Sequence, residues 1–184
     1  MKHTKLRRLI FLALCCDLGL FTKRLIAPVA NILTDSLHIP GGIGTSFSLM
    51  FLVIAAMLTP GFGCGILMGA VQSAIALSLG MAGSMGALSP IGYIVPGFVI
   101  DCVIFLSRKT GLSDDVTMLA ANMLAAASAS LTANIIVFHL SGVVLMLYVA
   151  VAFTSGAICG VLGGSLVPRL RPIICAEIGK EEKA

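Results

Sequence analysis

Residues 43–100 read IGTSFSLMFLVIAAMLTPGFGCGILMGAVQSAIALSLGMAGSMGALSPIGYIVPGFVI, without a single Asp, Glu, Lys, Arg or His. Nothing in such a stretch keeps it in water, and it is too long for one membrane crossing, which takes roughly 20 apolar residues. It divides at Thr59-Pro60-Gly61, a tight-turn sequence, and at the small-residue loop 83–90. A second stretch, residues 116–168, holds His139 as its lone ionisable side chain at neutral pH. The chain around them has 184 residues, 58% hydrophobic and 11% charged, with a mean hydropathy of +1.08. That balance excludes a soluble domain and predicts one all-α integral membrane domain over residues 1–184 with six transmembrane helices.

The expected spans are residues 6–25, 47–58, 61–81, 91–106, 116–140 and 143–167, with a polar link at 107–115. The start, MKHTKLRRLIFLALCC, imitates a secretory signal, but Asp17 and Thr22-Lys23-Arg24 make no small-residue cleavage site, so a retained first helix is expected. Segment 26–44, containing APVANILTDSLHIPGG, is too polar to span and is interrupted by Pro28, Pro40 and Gly41-Gly42. It is expected to lie over the outer mouth as a lid or interfacial segment, the other reading being a disordered connector.

Lys2, Lys5, Arg7 and Arg8, the Arg108-Lys109 loop, and Arg169, Arg171, Lys180 and Lys183 all fall on one side of a six-span chain. The positive-inside rule makes that side, with both the N- and C-termini, cytoplasmic. Lys23 and Arg24 land at the outer end of span one, as tolerated outliers or as partners for something anionic. The 12 basic residues against 8 acidic ones therefore report topology, and no basic run carries interleaved aromatics to stack on nucleic acid bases. Cysteines 15, 16, 64, 102, 159 and 175 lie almost all in apolar runs without CxxC or a nearby histidine pair, so they read as packing residues. No metal site and no cofactor is expected.

Small residues at every fourth position let helix backbones approach closely in lipid. Three such rows occur: Gly61, Gly65, Gly69 and Ser73; Ala121, Ala125, Ala129 and Ala133; Gly156, Gly160 and Gly164. Each predicts a tight interface within the bundle or a face for a partner. Polar groups within spans mark structural bonds or wet cavities, because lipid leaves them no other partner. These are Asp101 on span four, Gln72 on span three, Asn122 and Asn134 on span five, and Tyr93 and His139 near the outer ends of spans four and five. Asp101 needs a neighbouring hydroxyl or amide, a water-filled pocket or a cationic ligand group. Asn134 and His139 are placed to reach an outward cavity under the lid.

These residues are not a catalytic set, and the chain is not expected to be an enzyme. There is no H-E-x-x-H, histidines 3, 38 and 139 are far apart, and Ala82-Gly83-Ser84-Met85-Gly86 resembles a nucleophile elbow without its first glycine. Without a P-loop, a pump would take its energy from another subunit.

The layout resembles the substrate-binding S component of energy-coupling factor (ECF) vitamin transporters. The features that carry the resemblance are Lys5-Leu6-Arg7-Arg8 leading into the first helix, and the Pro40-Gly41-Gly42 break. They continue with Pro60-Gly61 running on as GFGCGILMGAVQSAIALSLG, and the small-residue loop before SPIGYIVPGFVIDCVIFL. The resemblance covers about residues 5–168 and implies a multi-pass protein of the bacterial plasma membrane. It further implies that the protein binds a vitamin, a vitamin precursor or a metal in its outer half, and works in the lipid with a T component and two cytoplasmic ATPases. An Ala-x-x-x-Ala docking motif is common in the family's first helix; here Cys15-x-x-x-Gly19 and Ala13-x-x-x-Asp17 stand nearest. The family's metal-binding members begin Met-His, and this chain begins Met-Lys-His, which favours a small organic ligand. Asp101 and Asn134 beside Tyr93 would suit a heteroaromatic ring bearing an amine, with Arg24 at the mouth for a carboxylate or phosphate; Gln72, Asn122 and His139 complete the candidate set. The alternative to a binding subunit is a self-contained small secondary carrier or channel.

Overall fold

The computed structural model describes residues 2–37, 43–59, 61–80 and 83–180. Six helices follow one another: α1 Lys2–Leu37, α2 Ile43–Leu58, α3 Cys64–Ser78, α4 Ser89–Thr110, α5 Asp114–Ile136 and α6 Val143–Lys180, with a 3₁₀ segment Gly83–Leu88 leading into α4. There is no strand among the described residues. Three helices, α4, α5 and α6, are long and apolar enough to cross a membrane by length and composition. Helices α2 and α3 are apolar but short, with 16 and 15 residues, or about 24 and 22 Å at 1.5 Å per residue. The described part of α1 carries Asp17, Lys23 and Arg24 among its apolar residues and does not reach the same apolar length. Six helices thus stand where six spans were expected, but among the described residues only three of them are both long and apolar enough to span.

Where the helices end differs from the sequence expectation, for local reasons. Helix α1 does not stop at residue 25; it runs through Pro28 to Leu37, 36 residues or about 54 Å, well beyond the roughly 30 Å of a hydrocarbon core. One proline removes a single intrahelical hydrogen bond, and residues 29–37 contain neither glycine nor a second proline. The expected lid is therefore helical up to Leu37, and its Pro40-Gly41-Gly42 break lies outside the described residues. Helix α6 likewise continues past residue 167 through Pro168 and Pro172. Helix α3 begins late because Gly61 and Gly63 hold φ of 137° and 98°, where other residues are strained. Helix α5 ends at Ile136, short of the expected residue 140: the Leu140 N–H folds back onto the Asn134 carbonyl at 3.0 Å, and His139 takes φ 48°.

Helix α2 occupies the middle of the bundle. Leu49, Met50 and every residue from Leu52 to Leu58 are buried, as expected of a helix enclosed on all sides. Around it, Met68, Ile100, Met118 and Val167 from α3, α4, α5 and α6 complete the core. The outer surface stays apolar: Leu14, Leu18 and Phe21 of α1 and Ile158, Val161 and Leu162 of α6 are all exposed. An apolar mantle this continuous is compatible with a lipid surround.

The two glycine rows make close contacts between backbones over part of their length; Gly61, which precedes α3, has nothing within 4 Å of a Cβ placed on it. A Cβ on Gly65 would strike the Gly97 carbonyl oxygen, a Cβ on Gly97 would strike that of Gly65, and a Cβ on Gly69 would strike the Tyr93 carbonyl. Along α5 and α6, a Cβ on Gly156 would sit 2.9 Å from the Asn122 carbonyl oxygen, and one on Gly160 2.8 Å from the Leu119 Cα. Gly164 is looser, its nearest neighbour being the Asp115 carboxylate at 3.3 Å. Gly97→Ala is accordingly expected to cost about 1–3 kcal/mol, the usual cost of overpacking, and Gly164→Ala well under half of that. Thermal unfolding of the two variants in detergent checks the difference.

Candidate functional site

At the end of the bundle where α2 begins, α5 ends and α6 begins, the helices form a half-open cavity of about 480 Å³. This lies within the size range of small-molecule sites. Short side chains create it. Ala126, Ala129 and Ala133 of α5 face Ala152 of α6 across the space, and Phe138 and Leu140 reach over it from the folded-back turn. The alanine row of α5 thus does two different things: Ala121 and Ala125 are fully buried in the core, Ala133 lines the void, and Ala129 belongs to both. Beside it, the hydroxyls of Ser46 and Ser155 are hydrogen-bonded at 2.8 Å, fixing α2 to α6.

Thr45, Ser130, Asn134 and Tyr148 are the polar lining residues, and among the described lining residues none is charged. The Asn134 amide nitrogen donates to the Ser130 carbonyl at 2.9 Å and to the Ser130 hydroxyl at 3.1 Å. A backbone carbonyl only accepts, so this contact identifies the nitrogen and leaves Asn134 Oδ1 as the acceptor not engaged with Ser130. The side chain is held by its own helix one turn back, and the residue is 5% exposed.

Asp101 lies toward the opposite end and does not reach the cavity. Its Oδ1 accepts the Gly65 N–H at 2.9 Å and its Oδ2 the Ile66 N–H at 3.0 Å. The α3 N-cap is Gly63, which has no side chain to offer, so a carboxylate on α4 caps α3 instead. The positive end of the α3 dipole faces the buried charge. Two turns further along α4, Arg108 donates to the carbonyls of Ala56, Met57 and Thr59 at 3.3, 3.4 and 3.1 Å, holding the negative end of α2. One helix thereby clamps both sides of the α2–α3 turn. Of the alternatives open for Asp101, the structure has the bond to neighbouring amides, with the carboxylate as a helix cap.

The other expected residues are also dispersed. Gln72 donates to the Cys16 carbonyl at 3.1 Å and ties α3 to α1. Asn122 donates to the Gly156 carbonyl at 2.9 Å, between α5 and α6, and its Oδ1 is buried without a partner. The Tyr93 hydroxyl accepts from Lys23 Nζ at 3.2 Å, with the ammonium 4.8 Å from the ring centroid. His139 is exposed on the α5–α6 turn and is not a lining residue. Arg24 and Asp17 lie in a separate groove of about 640 Å³ between α1 and α3, walled by Leu14, Leu18, Phe21, Ile75 and Leu79. That groove is larger, but Leu14, Leu18 and Phe21 are also part of the exposed apolar surface, which lipid would fill; the smaller cavity has the convergent polar groups.

Of the seven expected site residues, only Asn134 lines the cavity. Thr45, Ser130 and Tyr148 went unseen. Ser130 was findable, since it stands four residues before Asn134 on the same helical face. Thr45 fell between the expected lid, which ends at residue 44, and span two, which begins at residue 47, and Tyr148 carries no sequence signal beyond being one of two tyrosines. Among the described residues there is no group of three side chains able to hold a metal ion. Comparisons with protein families, curated proteins and solved structures find no match for this chain.

Proposed function

We propose that the chain is a six-span plasma-membrane protein with both termini cytoplasmic, and that it binds a vitamin or vitamin precursor as the S component of an ECF-type importer. A T component and two cytoplasmic ATPases would supply the energy that this chain has no P-loop to harvest. The observation that carries this reading is the cavity between α2, α5 and α6, with its apolar walls and few convergent polar groups. The positive-inside orientation puts the start of α2, the end of α5 and the start of α6 at the outer face, where an uptake protein meets its ligand.

Of the two nearest matches to the docking motif on α1, Gly19 is used inside the bundle, where a Cβ would approach Gln72 Nε2 to 2.9 Å. Ala13 and Asp17 are exposed, but an acidic side chain stands where the motif has its second alanine, so this pair departs from the family's docking face. The test is native mass spectrometry of the protein purified in detergent. A co-purified molecule of vitamin size at one per chain is the expected result. An empty protein that takes up solute alone in liposomes under an ion gradient would replace this reading with a self-contained carrier.

A further inference from the structure

The polar groups of the cavity are specific enough to name the kind of ligand edge they recognise. The Asn134 amide nitrogen is committed to Ser130, which leaves Oδ1 as an acceptor in a residue only 5% exposed. The Ser130 oxygen accepts from that nitrogen, so its own hydrogen points elsewhere and is available to donate. A fixed acceptor therefore stands one helical turn from a free donor, both on the α5 wall of the same cavity. Thr45 and Tyr148 add hydroxyls that can turn to give or take a proton. Two charged residues of the bundle are engaged elsewhere: Asp101 holds the first turn of α3, and Lys23 sits on Tyr93. A charged ligand group would lose its hydration here without meeting an opposite charge among the described lining residues.

Resting on the binding-subunit reading, we infer that the cavity selects an uncharged ligand whose polar edge sets an N–H beside a C=O, as in a lactam, imide or pyrimidinone. The N–H donates to Asn134 Oδ1, and the carbonyl accepts from Ser130 Oγ. The flat body lies against Ala129, Ala133 and Ala152. A cationic amine and a carboxylate are both disfavoured.

The experiment compares four probes of one ring size on the purified full-length protein, by saturation-transfer NMR titration. They are 2-quinolinone, N-methyl-2-quinolinone, the cation of 4-aminoquinoline, and quinoline-2-carboxylate. The lactam is expected to bind at least tenfold more tightly than each of the other three, and Asn134→Leu to remove that preference. Equal binding of the N-methyl compound, tighter binding of either ion, or binding of none of the four overturns the inference. Native mass spectrometry separates the two failures: a protein that carries a vitamin-sized molecule yet prefers an ionic probe is still a binding subunit, with a different ligand chemistry.

Discussion

Asp101→Leu is expected to remove roughly 2–6 kcal/mol of stability, because two backbone N–H groups lose their acceptor in a buried site at about 1–3 kcal/mol each. The donors are those of Gly65 and Ile66, in the first turn of a helix whose own N-cap has no side chain. Neither water nor a nearby residue replaces the carboxylate easily, since Asp101 is 3% exposed and Gly65 is pressed against Gly97. Asp101→Asn should fall between the two: its carbonyl oxygen serves one N–H, while its NH₂ is set against the other. Loss of the charge also forfeits its interaction with the α3 dipole, on the order of 0.3–2 kcal/mol. Thermal unfolding in detergent reads the effect. In the folded fraction of Asp101→Asn, ligand occupancy by native mass spectrometry should equal that of the wild type, because the carboxylate lies outside the cavity. A tenfold loss of affinity in a fully folded Asp101→Asn protein would put the carboxylate back in the ligand site.

What the sequence discloses and what it withholds have physical reasons. Long charge-free stretches and the Thr59-Pro60-Gly61 turn mark out helices because lipid-compatible segments must be apolar and hydrogen-bonded within themselves. The glycine rows of α3 and α6 were equally legible, since only glycine lets Gly65 and Gly97 bring their backbones into contact. Helix ends were less legible: Pro28 looks like a break, but one lost hydrogen bond does not stop a helix whose neighbours continue it. The role of Asp101 was hidden because a cap supplied by another helix leaves no local motif. Its only trace is negative, a Gly61-Phe62-Gly63 approach to α3 with no Ser, Thr, Asp or Asn to serve as its own cap. The candidate site was legible at Asn134 alone, since a cavity is set by where helices diverge, which composition does not record.

The alanine row of α5 gives the largest effect on binding, and it does so by contrast between its two ends. Ala125 is fully buried in the core, so a phenyl ring there has no space, and Ala125→Phe is expected to abolish folding rather than binding. Ala133 is one helical turn beyond Ala129, only partly buried, and lines the 480 Å³ cavity. Ala133→Phe should therefore fold close to normally, with its ring lying in the space that a ligand needs. Affinity is expected to fall by about a hundredfold or more, roughly 2.7 kcal/mol, while the unfolding temperature stays constant or rises as the ring fills a void. Titration of the native ligand, or of the bound mass recovered from the wild type, measures the loss; the melting curve shows that it is steric. Were Ala133→Phe to bind as tightly as the wild type, the ligand would have to lie elsewhere, and the next position to fill would be the α1–α3 groove at Leu18. The small residues of one row thus serve packing where the helices converge and access where they part.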